Sequence, residues 1–210
     1  MDSLTYRQDV RTVAETAADI SRTTRAEYHW GVALAYDFCS RFEPCTVEEY
    51  GVDNSGTLIV DKLTNYNADK KYVFATGDSL RVEICGHLGA TYQETLTRAT
   101  FKTDKIERLA AQNCVDIIVM PILDVYYAMG VDAAKHMLDK LTPIAGNYSW
   151  GYKSVLQINR TNLSGRWPTS LDEMRDAGLV DVCTWTPQAQ AYIKQHVDVL
   201  YAPRTGTQNE

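Results

Sequence analysis

The chain has 210 residues, of which 45% are hydrophobic and 23% charged, and its formal net charge is −6. A chain of this length and composition is typical of one globular domain with a core of its own. The acidic balance argues against a protein that coats nucleic acid, although an enzyme that acts on DNA can confine its positive charge to a cleft. The longest apolar stretch, residues 115–131, is interrupted by Asp116, Pro121 and Asp124, so we expect no membrane span.

The cysteines and the N-terminal segment indicate the compartment. There are five cysteines, an odd number, and no two of them form a Cys-x-x-Cys pair. This pattern disfavours a disulfide framework or a structural zinc site. Residues 1–30 contain no apolar segment of the kind found in signal peptides. We therefore expect a cytoplasmic protein.

The N-terminal forty residues predict a helix that ends near Pro44, because apolar residues recur there at helical spacing. The clearest such set is Trp30, Ala33, Leu34 and Phe38.

Residues 46–86 alternate turn signals with short runs of strand character at 57–60, 72–75 and 80–85. The last two runs flank Thr76-Gly77-Asp78-Ser79 and predict a β-hairpin.

Helix and strand patterns alternate through the rest of the chain. Residues 94–112 lack Gly and Pro and predict a helix, and the apolar run 115–120 predicts a buried strand parallel to its neighbour. Further helices are predicted over 124–141, 171–177 and 188–196, and a further strand over 153–159. This order predicts an α/β fold with a mixed central β-sheet flanked by helices.

Two acidic residues mark the hairpin as the candidate site. Asp69 stands at the entry of the first hairpin strand, and Glu83 lies in the second, in a run otherwise suited to a core. Pairing of the two strands brings the carboxylates close together, and such a pair suits Mg²⁺. Asp61 and Asp78 compete for the role of the first carboxylate.

Strand alternation places Glu83, Cys85 and His87 on one face. An imidazole titrates near neutrality, so His87 is a candidate for activating water, or it is a bystander at a strand end. A zinc site on Cys85 and His87 lacks further ligands at a recognisable spacing.

The order of these features resembles the PD-(D/E)xK nuclease superfamily. That family has an Asp before a hairpin, Glu-x-(Lys, Glu or Gln) in the second strand, then a helix and an apolar strand. In more detail, the sequences at 82–86, 105–111 and 115–122, followed by Tyr126-Tyr127, are similar to BamHI-type type II restriction endonucleases. The resemblance implies a restriction-endonuclease-like fold in one domain over residues 1–210. Its parts would be helical residues 1–45, a catalytic core 46–145 and a C-terminal part 146–210 for DNA recognition or dimerisation.

The resemblance implies that Asp69 and Glu83 bind the metal. Cys85 then stands where the family has Lys, Glu or Gln, although a thiol is a poor ligand for Mg²⁺ and carries no positive charge when neutral. Some members take the lysine from the following helix, where Lys102 and Lys105 are the candidates. Both lysines also suit a solvated helix face or a phosphate contact.

A nuclease must neutralise phosphates and read base edges. The candidate DNA-binding residues fall into a group after the hairpin and a group in the last third of the chain. They are Arg98, Lys102, Lys105, Lys153, Asn159, Arg160 and Arg166.

The leading hypothesis is a homodimeric type II restriction-like endonuclease that hydrolyses double-stranded DNA with Mg²⁺, or Mn²⁺ as a substitute. An alternative is a catalytically weak or inactive protein of the same fold that binds nucleic acid or a protein partner. A third class is an unrelated α/β enzyme with Cys85 as nucleophile and His87 as its base.

Overall fold

The computed structural model describes residues 13–49, 68–85, 98–140, 144–145, 154–159, 171–197 and 200. The helices in these segments are α1 (Val13–Arg41), α2 (Thr103–Ala111), α3 (Val131–Lys140), α4 (Leu171–Asp176) and α5 (Pro187–His196). The strands are β1 (Cys45–Glu49), β2 (Lys70–Phe74), β3 (Ser79–Ile84), β4 (Arg98–Lys102), β5 (Ile117–Pro121), β6 (Val125–Gly130), β7 (Ile144–Ala145), β8 (Ser154–Asn159) and β9 (Asp181–Thr184).

Six of the described strands form one sheet in the order β1-β2-β3-β5-β6-β9. β3 and β5 run parallel, and the other neighbouring pairs run antiparallel. The expected α/β fold with a mixed sheet and flanking helices is therefore confirmed, as are the β2–β3 hairpin and the parallel strand after the second helix. The hairpin turns at Gly77, whose φ of 91° favours glycine.

One face of this sheet is covered by α1 and α5. The apolar positions that predicted α1, Trp30, Ala33, Leu34 and Phe38, are all buried there. Trp30 stacks on Trp185, which precedes α5, with ring centroids 5.7 Å apart. Burying large aromatic side chains of this kind contributes strongly to the core.

The opposite face carries a second core cluster. Leu109 of α2, Ala134 of α3 and Met174 of α4 pack there against the sheet. Ile118 and Met120 of β5 belong to this cluster, while the intervening Val119 belongs to the other, as strand alternation requires. α2 therefore lies over the face opposite to α1.

A second sheet of the described residues has the order β4-β8-β7. Arg98 pairs with Asn159 and Lys102 with Val155 across the antiparallel β4–β8 ladder. The helix predicted over 94–112 is therefore wrong over residues 98–102, where Arg98 and Lys102 lie on a strand. Arg98–Lys102 alternates polar and apolar residues, and pairing with the distant β8 outweighs the local helical pattern.

The helix predicted over 124–141 is also wrong in its first part, because Val125–Gly130 forms β6 between β5 and β9. Buried positions fall on both faces of this strand, so it lacks the alternation that marks a half-buried strand.

The predicted strand at 153–159 and helices at 171–177 and 188–196 are confirmed to within one residue at each end. The strand predicted at 57–60 lies outside the described residues. Among the described helices, none combines the length and the apolar character required to cross a membrane.

Candidate functional site

Asp69 and Glu83 meet across the β2–β3 hairpin. Lys70 pairs with Val82, so Asp69, one residue earlier, comes level with Glu83. The backbone N–H of Ile84 donates a hydrogen bond of 2.8 Å to Asp69 Oδ2. This contact fixes the Asp69 carboxylate beside the residue that follows Glu83. The register of the hairpin thus places the two acidic residues level on adjacent strands.

Both carboxylates lie inside the protein. Asp69 is 5% exposed and Glu83 is 2% exposed. Glu83 stands on a central strand, level with Ile118 of the parallel neighbour β5. Two acids buried side by side are costly, because desolvation and mutual repulsion both disfavour the charged forms. A cation bound to both would offset that cost.

Two cysteines lie near Glu83. Cys85, two residues along, shares its face of the sheet and is buried in the cluster beneath α2. Cys114 follows α2 and enters the same cluster. Burial raises the pKa of the Cys114 thiol, the positive charge of Arg81 opposes this, and the negative charge of Glu83 adds to it.

Sequence reasoning overlooked Cys114 as a neighbour of Glu83. Its position near Glu83 depends on how α2 packs, and the sequence signal for it is that Cys114 lies between a helix and a buried strand.

An ion pair borders the acids on the same face of β3. Arg81 donates to Asp116 through Nε to Oδ2 at 3.0 Å and through Nη2 to Oδ1 at 2.5 Å. The backbone N–H of Arg81 also donates to Asp116 Oδ2 at 2.7 Å, and Arg81 Nη1 donates to the Asn113 carbonyl at 2.6 Å. These bonds to Arg81 lower the pKa of Asp116. The pair fastens the start of β5 to β3.

Lys70 follows Asp69 directly but lies on the opposite face. Its Nζ sits 5.4 Å from the centre of the Tyr28 ring of α1. α1 approaches so closely that a Cβ on Gly31 would lie 2.7 Å from Lys70 Cε. Adjacency in sequence therefore does not make Lys70 part of the acidic site.

The two candidate lysines occupy different elements. Lys102 ends β4, whereas Lys105 lies in the first turn of α2. The sequence pattern predicted that both lysines lie on a common helix, one turn apart, and that prediction is wrong. Lys105 stands one turn before Leu109, which packs in the cluster that contains Cys85.

The candidate DNA-binding residues are partly brought together. Arg98 and Asn159, far apart in sequence, are direct partners in the β4–β8 ladder. Thr100 pairs with Gln157 two positions along, so polar residues occupy alternate positions of both strands.

Of the other candidates, Asp78 is exposed in the hairpin turn, where Thr76 Oγ1 donates to its carboxylate at 3.1 Å. Its place in solvent separates it from the buried acids. The remaining candidates lie outside the described residues, and their roles stay predictions. They are Asp61, His87, Lys153, Arg160 and Arg166.

Within the described ranges, no group of three or more His, Cys, Asp or Glu side chains is arranged around a common point for a metal. The pair of Asp69 and Glu83 nevertheless fits Mg²⁺, which takes one or two protein carboxylates and completes its shell with water and phosphate oxygens. The thiols of Cys85 and Cys114 are soft ligands and do not suit it. Comparisons of the chain with models of known families and with curated proteins found no match.

Proposed function

We propose that this chain is a type II restriction-like endonuclease of the PD-(D/E)xK kind that hydrolyses phosphodiester bonds in double-stranded DNA. Asp69 and Glu83 would hold Mg²⁺, and Mn²⁺ would substitute for it. The observation that carries the proposal is the hairpin register, which sets two buried acidic residues level on adjacent strands, together with the bond from the Ile84 N–H that fixes Asp69 there.

The arrangement around the acids supports a restriction-endonuclease-like fold. The hairpin with the acids is followed by β4 of the smaller sheet and then by α2, and α2 is followed by β5, which is parallel to the second hairpin strand. Apart from β4, this is the order of elements on which the resemblance to the nuclease superfamily rests. Because β3 is paired on both sides, Glu83 is held on a rigid element, as a metal ligand requires.

When bound, Mg²⁺ supplies a water of lowered pKa and stabilises the charge that develops on the phosphodiester. The chain's own residues hold the two acids in place and exclude water from them. Asp69 is fixed by the Ile84 amide, and Glu83 is held by its strand. Their low exposure removes competing solvent from the acids and strengthens electrostatic interactions there.

Lys105 supports the proposal as the replacement for the missing lysine at Cys85. The helix that carries it packs on the face of the sheet that holds Glu83. A lysine from α2 would add the positive charge that a neutral thiol lacks, and so stabilise charge on the reacting phosphate.

The small sheet supports DNA as the substrate. Arg98 and Lys102 on β4 and Asn159 on β8 combine groups suited to phosphates with an amide suited to adenine. In this proposal a second copy of the chain would cut the other strand, since a symmetric dimer matches a palindromic site.

Digestion of phage DNA with the full chain tests the proposal. We expect discrete bands with Mg²⁺ and none after chelation. Asp69→Asn and Glu83→Gln should each slow cleavage on the order of 100-fold or more, because each removes a charge that stabilises the reaction. The matched control is Asp78→Asn, which makes the same change on the exposed turn and should cut at the wild-type rate. Metal-dependent cutting by folded Glu83→Gln at the wild-type rate would overturn the proposal.

The burial of Cys85 beside the acids favours one alternative, a nuclease-fold protein that binds DNA or a protein without cutting. Cys85 is 9% exposed and occupies the position where the family has a charged or amide group. Retarded migration of duplex DNA in a gel, without nicking over long incubation in Mg²⁺ or Mn²⁺, would favour this alternative.

A further inference from the structure

A pair of cysteines lies at the junction between α1 and β1, outside the acidic site. Cys39 is in the last turns of α1, and Cys45 is the first residue of β1. Their Sγ atoms are 3.3 Å apart. A disulfide requires about 2.05 Å between the sulfurs, so they need to approach by only roughly 1.2 Å.

The two thiols occupy different environments. Cys39 is exposed, and the backbone N–H of Cys45 donates to its Sγ at 3.2 Å. The Cys45 thiol points toward the Ala35 carbonyl, with its Sγ 3.9 Å from that oxygen. Burial, then the hydrogen bond and the charge of Cys39, raises the pKa of Cys45 to about 12. Cys39 is thus open to a small reagent, whereas Cys45 is only partly exposed.

We propose that Cys39 and Cys45 form a thiol–disulfide exchange site that takes a small disulfide such as glutathione disulfide. The Cys39 thiolate attacks one sulfur of glutathione disulfide, forms a mixed disulfide and releases one glutathione. Cys45 then loses its proton to solvent and attacks Cys39 Sγ, which forms the Cys39–Cys45 bond and expels the second glutathione. Two protein thiols are oxidised, and one small disulfide is reduced to two thiols.

The order of the two steps follows from the pair itself. The thiolate is the nucleophile, so a thiol with a raised pKa reacts slowly with a reagent from solvent. Once Cys39 is in the mixed disulfide, it carries no charge, and two of the causes that hold the pKa of Cys45 high are gone. Cys45 then lies next to the sulfur that it must attack.

Closure would fasten the end of α1 to the edge strand of the larger sheet. β1 pairs with only β2 among the described strands. The loop between the cysteines is already held at Pro44, whose carbonyl accepts from the Ala75 N–H at 2.9 Å. The disulfide would therefore constrain a loop that is already in position, and forming it would require little movement of that loop.

Exchange of the folded full chain with a glutathione redox buffer, quenched by alkylation, tests the proposal. Trypsin cuts after Arg41, so the disulfide joins the peptides 26–41 and 42–62, each with one cysteine. We expect this linked pair to be the main product by mass spectrometry. It should also be reversed by dithiothreitol.

Single variants separate the two steps. Cys45→Ser should accumulate glutathione on Cys39, and Cys39→Ser should carry about tenfold less on Cys45, because burial, the largest cause of the raised pKa of Cys45, remains in that variant and leaves little thiolate. Cys183→Ser is the matched control and should form the linked peptides like the wild type. The proposal is overturned if the wild type keeps glutathione on Cys39 without forming the link. Equal labelling of the two single variants, or no oxidation of either cysteine, would overturn it as well.

Discussion

Lys105 and Lys102 differ in the element that carries them, which separates their roles under the proposed function. Lys105 is one helical turn before the buried Leu109, on the helix that packs over the acids, and Lys102 ends a strand of the other sheet. We therefore expect Lys105 to supply the charge that stabilises the reacting phosphate.

Lys105→Met should therefore reduce the single-turnover cleavage rate on the order of 100-fold, because it removes a stabilising charge but keeps the helix propensity. Lys102→Met is the control and should lower the affinity for DNA more than the rate. The assay is the cleavage rate at saturating protein. If Lys105→Met cleaves at the wild-type rate and Lys102→Met does not cleave, the roles given to the two lysines would have to be exchanged.

Asp116 receives charge-assisted bonds from Arg81 that hold β3 against β5. Asp116→Asn should lower the free energy of unfolding by about 1–2 kcal/mol at neutral pH, as judged by urea denaturation. The pKa of Asp116 is lowered in the folded protein. Its contribution is thus present above the unfolded value near 3.8 and is lost as the pH falls through the folded value.

The difference in stability between wild type and Asp116→Asn should accordingly shrink in acid. Asp78→Asn, on the exposed turn, is the control and should match the wild type at neutral pH. Equal free energies of unfolding for wild type and Asp116→Asn at neutral pH would show that the ion pair contributes nothing.

At the scale of elements, Asp37 of α1 joins three parts of the fold. Its carboxylate is fully buried and accepts from Tyr126 Oη of β6 at 2.8 Å and from the Thr186 N–H before α5 at 2.7 Å. Arg41 Nε donates to it at 2.6 Å. Burial, and then the bond to Asp37, raises the pKa of Tyr126, which keeps that hydroxyl protonated as a donor.

Asp37→Ala should lower the free energy of unfolding by roughly 2–4 kcal/mol, because it leaves a buried hydroxyl and a half-buried amide without their acceptor. Urea denaturation followed by tryptophan fluorescence measures it, since Trp185 lies beside Tyr126. Asp78→Ala removes an exposed carboxylate and serves as the control. A loss as small as that of the control would show that the network is dispensable.

The pairing of β4 with β8 places Arg98 opposite Asn159 and gives the proposed DNA contact a test of its own. Arg98→Ala should weaken binding to duplexes of any sequence and reduce the slope of log affinity against log salt by about one. The control is Arg175→Ala, since that arginine is paired with Asp172 and Asp176. An unchanged salt slope for Arg98→Ala would remove Arg98 from the interface.

Over the whole molecule, the sequence predicted those parts of the fold that local patterns determine. The helical spacing of Trp30, Leu34 and Phe38 and the turn at Gly77 are local, and the predicted α1 and hairpin are present. The level position of Asp69 and Glu83 follows from the hairpin alone, so the acid pair was also predictable.

The remainder depends on contacts between distant segments. The strand Arg98–Lys102 forms because β8 pairs with it, and Val125–Gly130 is a strand between β5 and β9. Cys114 comes near enough to feel the charge of Glu83 through the packing of α2. Local periodicity carries no information about such partners, which is why helix was predicted for both strands.

The central claim is that Asp69 and Glu83 together hold a divalent cation, and calorimetric titration with Mn²⁺ tests it most directly. The wild type and Asp78→Asn should bind Mn²⁺ with the same stoichiometry and affinity. A double variant with Asp69→Asn and Glu83→Gln, shown to be folded by circular dichroism, should bind about one equivalent less, since amides lack the charge that the ion requires. Binding by the folded double variant with wild-type stoichiometry and affinity would contradict the claim.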